Sequence, residues 1–257
     1  MLFPEHFQIY SLMTNKQISN QLLRKDAGNI KNMFSSIARF YDFLNKVLSL
    51  NFDRKWRAVA VKVSNVSADS KVLDVCSGTG DLAIAYSKAL DKNGKVVGSD
   101  FCHEMLKYGN TKIARLHLEK RIHMTEADTL NLPFRDNQFQ IASVAFGIRN
   151  VSNLENGVKE MMRVVDKGGK VVILEFSQPT NPIFKQIYFF YFKKILPIIG
   201  NLISSSKDSA YTYLPNSVLT FPDREALKTK LENCGLKNIE IYSLTLGIVT
   251  IHIGTKE

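Results

Sequence analysis

The sequence predicts an α/β domain: a mostly parallel sheet covered by helices on both faces, with an antiparallel hairpin at its C-terminal end. Three observations support this expectation. Strand-like apolar runs alternate with helical patterns from Lys71 to Glu175, a glycine turn joins the first strand to the first of these helices, and two later strand-like runs are separated only by Leu246-Gly247. Repeated strand–helix–strand order gives parallel pairing, whereas so short a break gives a hairpin.

The elements follow in chain order. Residues 30–63 have apolar side chains at three- and four-residue steps, the spacing of an amphipathic helix. Strand-like runs then occur at 71–76, 95–99, 121–127, 139–146 and 170–176, with helical patterns between them at 80–90, 103–118 and 153–165. A helix is expected near 223–234, and the hairpin strands are 237–245 and 248–254.

The composition fits one globular domain. The chain has 257 residues, of which 45% are hydrophobic and 23% charged, enough apolar surface for a full core. We expect residues 1–28 to form a poorly ordered extension and residues 29–257 a single domain. The expected parts of this domain are a helical cap (29–68), a ligand-binding core (69–177), a helical insertion over the substrate (178–235) and the terminal hairpin (236–257).

The glycine turn, in the stretch KVLDVCSGTGDLAIAYSKAL, predicts a ligand site. Gly78 and Gly80 follow the first strand at its carboxyl end, where open α/β sheets bind ligands, and they let the backbone approach a ligand closely. A dinucleotide would place its pyrophosphate there, but the carboxylate of Asp74 would repel that anion. An acid at this place suits a ligand with a cationic group. S-adenosylmethionine carries both an ammonium and a sulfonium.

Two further acids follow the next two strands. Asp100 ends the second strand, where a carboxylate accepts the hydroxyls of a ribose, and Asp128 ends the third, where it can accept from an adenine amino group. We expect Asp74, Asp100 and Asp128 to converge on one crevice. Phe101 lies either on the adenine face or in the core. The three cysteines and five histidines lack ligand spacing, so no metal site is expected.

Six motifs, in this order and spacing, resemble one protein family. They are YDFLNKVLSLNFDRKW (41–56), DVCSGTGDL (74–82), GSDFCHEML (98–106), ADTLNLPF (127–134), AFGIRNV (145–151) and RVVDKGGKVVILEFS (163–177). Together they look like class I S-adenosylmethionine-dependent methyltransferases, and more narrowly the ubiquinone/menaquinone-biosynthesis C-methyltransferases, or demethylmenaquinone methyltransferase family. The resemblance covers residues 30–256. It implies a Rossmann-like class I methyltransferase fold with a seven-stranded sheet.

The resemblance also implies the reactants and the residues that contact the cofactor. The methyl donor would be S-adenosylmethionine, and the acceptor a ring carbon of a prenylated quinol. Thr79, Asp100 and the pair Asp128-Thr129 match the cofactor contacts of the family. Our own interpretation adds Asp74, Gly78, Gly80 and Phe101 to this set.

The sequence departs from the family pattern at several positions. In the N-terminal motif Leu44 replaces a methionine and Asp53 a histidine, and a serine that contacts the cofactor is here Ala145. A lost neutral hydrogen bond is worth only about 0.5–1.5 kcal/mol, so we expect affinity for the cofactor to survive.

The chemistry of the acceptor points to groups beside the fourth strand. A ring carbon becomes nucleophilic when the adjacent phenol loses its proton, and a proton must later leave that carbon. Arg149 and Asn150 follow this strand, and a guanidinium there would stabilise the phenolate or position a water. The alternative is that Arg149 pairs with a loop acid such as Asp42. Tyr41 heads a helix that we expect to close over the cofactor, so Arg149, Asn150 and Tyr41 are the candidate catalytic residues.

The segment IFKQIYFFYFKKILPIIGNLI, residues 183–203, is unusually aromatic. Its lysines leave it short of the ~20 mostly apolar residues of a spanning helix. We predict a lipid-facing helix that admits the prenyl tail and makes a peripheral membrane contact, with the lysines at anionic headgroups. The alternative is a helix packed wholly into the domain.

The net charge of +10 suggests an anionic partner, but the basic residues form no block that would identify it. Three other functions stay open: an S-adenosylmethionine-dependent RNA methyltransferase, a non-catalytic cofactor-binding adaptor of a biosynthetic complex, and a dehydrogenase. No Asn-Pro-Pro-Tyr-like tetrapeptide follows the fourth strand, so we expect no nucleic-acid partner. The absence of CxxC motifs and of a secretory signal pattern predicts a cytoplasmic protein. A homo-oligomer is compatible with the sequence.

Overall fold

The computed structural model describes residues 26–179 and 210–257, together with residues 181, 184 and 186. The helices are α1 (Ala27–Ile37), α2 (Tyr41–Leu48), α3 (Phe52–Ser64), α4 (Asp81–Ala89), α5 (His103–Arg115), α6 (Leu154–Val164), α7 (Ala210–Thr220) and α8 (Arg224–Asn233). The strands are β1 (Lys71–Val75), β2 (Lys95–Asp100), β3 (Ile122–Glu126), β4 (Phe139–Ala145), β5 (Val165–Phe176), β6 (Lys237–Leu244) and β7 (Val249–Thr255). Short 3-10 helices cover Ala38–Phe40, Ile148–Asn150 and Thr245–Gly247.

The strands form one seven-stranded sheet in the order β3-β2-β1-β4-β5-β7-β6. Strands β1 to β5 are parallel, whereas β7 is antiparallel to both β5 and β6. The predicted parallel sheet and terminal hairpin are therefore confirmed. The order reverses at β1, because the chain first adds β2 and β3 on one side and then β4 on the other. In sheets of this kind, ligands bind at such a switch point, outside the carboxyl ends of the strands.

The central strands of the sheet are buried on both faces, whereas the edge strand β6 is largely accessible. Successive side chains of a strand point to opposite faces, and in β1 Val72 belongs to one apolar cluster while Leu73 belongs to the other. Helices α3, α4 and α5 contribute to the first cluster, and α6 and α8 to the second. This explains why the strands are continuous apolar runs rather than alternating ones, as is usual for parallel sheets.

The N-terminal cap differs from the single helical region expected over residues 30–63. The chain turns twice: a 3-10 helix joins α1 to α2, and Leu50 and Asn51 adopt left-handed backbone conformations between α2 and α3, with φ of +51° and +63°. At its start, Asp26 caps α1 by accepting from the N–H of Asn29. The helix therefore begins inside the extension predicted for residues 1–28.

The aromatic segment 183–203 lies outside the described residues, apart from Phe184 and Gln186, so its prediction as a lipid-facing helix stays a prediction. Within the described parts of the chain, no helix combines the length and the apolar character needed to span a bilayer.

Candidate active site

A cleft of about 720 Å³ opens at the switch point, between the carboxyl ends of the central strands and helix α1. Its floor is the glycine turn after β1 and the loop after β4, and α1 covers it through Ile30 and Phe34. The cleft contains seven of the residues selected from the sequence: Tyr41, Gly78, Asp100, Phe101, Asp128, Thr129 and Asn150. Asp74, Thr79, Gly80 and Arg149 lie outside its lining.

The glycine turn is held in a backbone conformation that favours glycine. Gly78 has φ of +57° and Gly80 of +82°. A Cβ on Gly78 would lie 3.3 Å from Cε of Met105, so the backbone itself forms the wall of the cleft. Gly80 has a different role from the one expected, because a Cβ there would face the buried side chains of Met124 and Ile113.

Asp100 connects the glycine turn to the end of β2. Its carboxylate accepts from the N–H of Gly78 at 2.8 Å and from the N–H of Cys102 at 2.9 Å. Burial raises the pKa of Asp100 to about 6, although both backbone hydrogen bonds act to lower it. Each carboxylate oxygen can accept a further hydrogen bond, so the group is already oriented for a pair of hydroxyls at the cleft.

Asp74 lies behind the turn. Its Oδ2 accepts from Ser77 Oγ at 2.7 Å and from the N–H of Ala83 at 3.0 Å, whereas its buried Oδ1 has no hydrogen-bond partner among the residues that the structure describes. Burial raises the pKa of Asp74 to about 7. A buried carboxylate oxygen without a donor is costly, and a cationic donor would both satisfy it and favour its ionised form.

The expectation that three acids converge on one crevice is therefore only partly right. Asp100 and Asp128 line the large cleft, but Asp74 lines a smaller cavity of about 290 Å³. The two spaces adjoin, since Tyr41 and Cys76 line both. Burial raises the pKa of the Cys76 thiol far above its usual range, so this cysteine is not a thiolate nucleophile.

Thr79 makes its contacts with the cap rather than with the large cleft. Its hydroxyl donates to Asp42 and accepts from Lys112 Nζ at 3.1 Å. Lys112 also pairs with both Asp42 and, at 2.8 Å, Asp81. This cluster of charges ties the first turn of α2 to the glycine turn and to α4.

Arg149 is buried and pairs with an acid, as the alternative interpretation held, but the acid is Glu175 of β5 rather than a loop acid such as Asp42. Arg149 Nη1 lies 2.8 Å from Glu175 Oε1 and also donates to the carbonyl of Phe146. Within the described part of the chain its Nε has no hydrogen-bond partner, and the guanidinium lies 5.5 Å from the ring centre of Phe176. The sequence does carry a signal for Glu175, because an acid inside the apolar run VVILEF needs a buried partner.

A second cavity, of about 790 Å³, lies between the cap helices and the ends of β4 and β5, and Arg149 lines it. Its wall is largely aromatic: the ring centres of Trp56, Phe146 and Phe176 lie 4.7 to 6.3 Å apart. We call this space the acceptor cavity. It adjoins the large cleft, because Phe34, Tyr41 and Phe146 line both.

Asp53 and Arg57 form a polar wall of the acceptor cavity. Both are buried, and Arg57 Nη1 lies 2.5 Å from Asp53 Oδ2. Ser49 Oγ donates to the other carboxylate oxygen at 2.9 Å. Asp53 was noted in the sequence only as a departure from the family pattern, and Arg57 was missed. Their spacing of four residues on a helix was the available signal.

The two other candidate catalytic residues differ in their surroundings. Tyr41 lines the cleft, the small cavity and the acceptor cavity, and burial raises the pKa of its phenol, so the group keeps its proton at neutral pH. Asn150 lines the cleft, and its Oδ1 accepts from the hydroxyl of Tyr213 at 2.8 Å. Asn150 thereby holds α7 against the 3-10 helix after β4.

Known proteins with similar sequences and folds identify the family. A model of the ubiE/COQ5 methyltransferase family matches residues 21–256. The chain is 44% identical over 234 residues to the ubiquinone/menaquinone biosynthesis C-methyltransferase UbiE of Geotalea daltonii, covering 91% of this chain and 99% of that protein. It is 41% identical over 227 residues to the demethylmenaquinone methyltransferase of Staphylococcus saprophyticus, covering 88% and 96%.

Solved structures agree at the level of the fold. A SAM-dependent methyltransferase from Thermotoga maritima superposes with a TM-score of 0.62 at 16% identity, over 88% of this chain and 99% of that one. Another, from Aquifex aeolicus, gives 0.57 at 17% identity, over 77% and 88%. The Rossmann-like methyltransferase fold expected from the sequence is thus confirmed, and the chain belongs to the ubiE/COQ5 methyltransferase family.

Proposed function

We propose that the protein transfers a methyl group from S-adenosylmethionine to a ring carbon of a prenylated quinol, converting demethylmenaquinol to menaquinol or performing the equivalent step for ubiquinone. The observation that supports this most strongly is a pair of adjoining spaces, a polar cleft and an aromatic acceptor cavity, which meet at Tyr41 and Phe146. They occur in a chain 44% identical to a protein named as a ubiquinone/menaquinone biosynthesis C-methyltransferase.

The residues of the cleft fit the donor. S-adenosylmethionine supplies an electrophilic methyl group on a cationic sulfur. Asp74 offers a buried Oδ1 without a partner, which an ammonium group would satisfy. Asp100 is held by two backbone N–H groups in an orientation that suits ribose hydroxyls, and Asp128 lines the same cleft. Three carboxylates around these spaces favour a cationic ligand and disfavour a diphosphate.

The acceptor cavity suits an aromatic ring with an apolar tail. Trp56, Phe146 and Phe176 provide apolar faces. Arg149 is paired with Glu175, but its Nε–H, which has no partner among the described residues, would donate to a phenolate and stabilise it. In methyl transfer the protein chiefly aligns the two reactants and excludes water. The carbon–sulfur bond breaks as the carbon–carbon bond forms, and a proton then has to leave the methylated ring carbon.

Asp53 is the group that we assign to accept this proton, directly or through a water. Arginine keeps its proton in proteins, which excludes Arg149 as the base. Tyr41 also keeps its proton, because burial raises the pKa of its phenol. Asp53 is a buried carboxylate in the wall of the acceptor cavity, and Ser49 and Arg57 hold it in place.

The experiment that tests this function uses purified protein, S-adenosylmethionine labelled in its methyl group, and a short-tailed demethylnaphthoquinol kept reduced. We expect label on the ring carbon, identified by mass spectrometry of the quinol. A benzoquinol acceptor and total RNA are tested in parallel. Label on RNA alone, or on none of the prenylated quinols tried, would contradict the proposal.

A further inference from the structure

The outer side of the cap carries four exposed apolar side chains within one stretch of the chain. They are Phe40, Phe43, Leu50 and Phe52, with 45%, 54%, 74% and 40% of their surface exposed, and we call them the cap patch. Among the described residues, only Tyr108, Leu116 and Leu246 are comparable, and these lie elsewhere in the chain. Scattered apolar side chains are normal on a surface, but a cluster marks an interaction site.

The cap patch runs from the 3-10 helix before α2, through α2, to the first residue of α3. Phe40 ends the 3-10 helix before α2, Phe43 lies within α2, and Leu50 lies in the left-handed turn between α2 and α3. The neighbouring residues Leu44 and Asn45 line the acceptor cavity instead. On α2, Phe43 is therefore exposed to solvent while the two residues after it line the acceptor cavity.

Phe52 connects the cap patch to the aromatic wall of that cavity. Its ring stacks on Trp56, with centres 6.2 Å apart and planes 23° apart. Trp56 in turn lies 6.0 Å from Phe146 and 6.3 Å from Phe176. A molecule bound to the cap patch is thus one ring away from the acceptor cavity.

The most exposed charged side chains of residues 39–55 are all basic. Arg39, Lys46, Arg54 and Lys55 are exposed, and Arg39 and Lys55 lie over the rings of Phe40 and Phe52 at 5.5 and 5.3 Å. The acids of residues 39–55 are Asp42 and Asp53, which pair with Lys112 and Arg57. The outward face is therefore basic and aromatic together.

We propose that the cap patch binds an anionic phospholipid surface. Exposed aromatic side chains enter the boundary between headgroups and acyl chains, while lysine and arginine meet the phosphates. A second copy of this face is disfavoured as the partner because its basic residues would repel those of the first. That this docking brings the acceptor cavity to a prenylated quinol rests on the proposed function, whereas lipid binding itself does not.

The single tryptophan of the chain provides the readout. Trp56 stacks on Phe52, so lipids with brominated acyl chains should quench its fluorescence when the cap patch enters a bilayer. We expect flotation with phosphatidylglycerol vesicles at low salt, little with phosphatidylcholine alone, and loss of binding as salt screens the charges. Quenching of Trp56 fluorescence should be strong with phosphatidylglycerol vesicles at low salt, weak with phosphatidylcholine, and lost as salt is added.

Two double variants separate the apolar and the basic contributions. Phe43→Ser with Leu50→Asn should lower partitioning at least about tenfold, because the inserted apolar area is lost. Asparagine is chosen at residue 50 because it tolerates the φ of +51° found there. Lys46→Gln with Lys55→Gln should lower partitioning onto anionic vesicles about tenfold or more and flatten its salt dependence. Leu116→Ser, at a residue 49% exposed on the end of α5, is the matched control and should change nothing.

Three outcomes would overturn the proposal. The first is that the wild-type protein fails to bind anionic vesicles at low salt. The second is that both double variants bind as the wild type does, which would place the contact on another surface. The third is that light scattering shows the wild type to be a dimer and the variant Phe43→Ser with Leu50→Asn to be a monomer. That result would make a second copy of the chain the partner of the cap patch. Circular dichroism and calorimetry with S-adenosylmethionine verify that each variant is folded. If vesicle binding follows the variants but no quinol is methylated, the proposed function fails while this inference stands.

Discussion

Replacing Asp74 with asparagine should stabilise the protein without its cofactor and weaken cofactor binding at the same time. Burial raises the pKa of Asp74 from 3.8 to about 7. The folded protein then holds this proton more tightly than the unfolded chain does, so the free energy of unfolding falls as the pH rises from about 4 to about 7. At about 1.4 kcal/mol per pH unit, the ionised carboxylate costs the folded state on the order of 4 kcal/mol at pH 8.

The variant Asp74→Asn removes this dependence. Its amide can still accept from Ser77 and Ala83, although its amino group is left buried without an acceptor, at a cost of about 1–3 kcal/mol at every pH. The free energy of unfolding of the variant, relative to the wild type, should therefore increase by roughly 2–3 kcal/mol between pH 5 and pH 8. Asp100 titrates in both proteins, so its own burial cancels in this difference and only its repulsion of Asp74, a smaller cause than burial, remains.

Urea denaturation without cofactor at pH 5 and pH 8 measures this difference, with Asp69→Asn, at an exposed acid before β1, as the control. Calorimetry should also show that Asp74→Asn weakens binding of S-adenosylmethionine at least about tenfold, the loss expected for one charge-assisted hydrogen bond. A difference in unfolding free energy that does not change with pH would refute the reasoning about burial. Unchanged cofactor affinity would refute the assignment of the ammonium group to Asp74.

Substitutions at three other residues test the remaining parts of the site. Asp53→Asn should lower kcat for the quinol about 100-fold or more, with little change in affinity for S-adenosylmethionine. Asp53→His should restore turnover, with a pH optimum shifted upward. Equal loss of kcat in both variants would argue against a base at this position. Glu175→Gln should lower the free energy of unfolding by about 3–5 kcal/mol in urea, because it leaves the Arg149 guanidinium buried without its counter-charge, and a change below about 1 kcal/mol would contradict the pairing. Ala145→Ser should tighten S-adenosylmethionine in calorimetry by about two- to tenfold by adding a hydrogen bond, whereas weaker binding would show that the hydroxyl does not fit.

The sheet was predictable because its signals are local. Each apolar run between Lys71 and Glu175 ends in a turn or a helix, and the Leu246-Gly247 break left no room for a crossover. The cap was harder. Leu50 adopts a left-handed conformation that its sequence does not favour, and it does so where α2 and α3 pack around the aromatic residues of the acceptor cavity. Periodicity alone could not show that turn.

The site was predictable where it depends on the ends of strands and less so where it depends on register. Asp100 is the last residue of β2 and lies in the cleft, whereas Asp74 is one residue from the end of β1 and lies behind the turn. Arg149 and Glu175 meet because β4 and β5 pair with Ala145 opposite Leu174. Such a contact depends on the pairing of two strands, which neither strand's sequence specifies by itself.

The central claim is that the methyl donor and the quinol occupy two adjoining spaces that meet at Tyr41 and Phe146. A crystal structure with S-adenosylhomocysteine and a short-tailed demethylnaphthoquinol tests it most directly. We predict the amino group of the ligand at hydrogen-bond distance from Asp74 Oδ1, its ribose on Asp100, and the quinol ring among Trp56, Phe146 and Phe176. A quinol bound outside the acceptor cavity, or a ligand amino group remote from Asp74, would contradict the account.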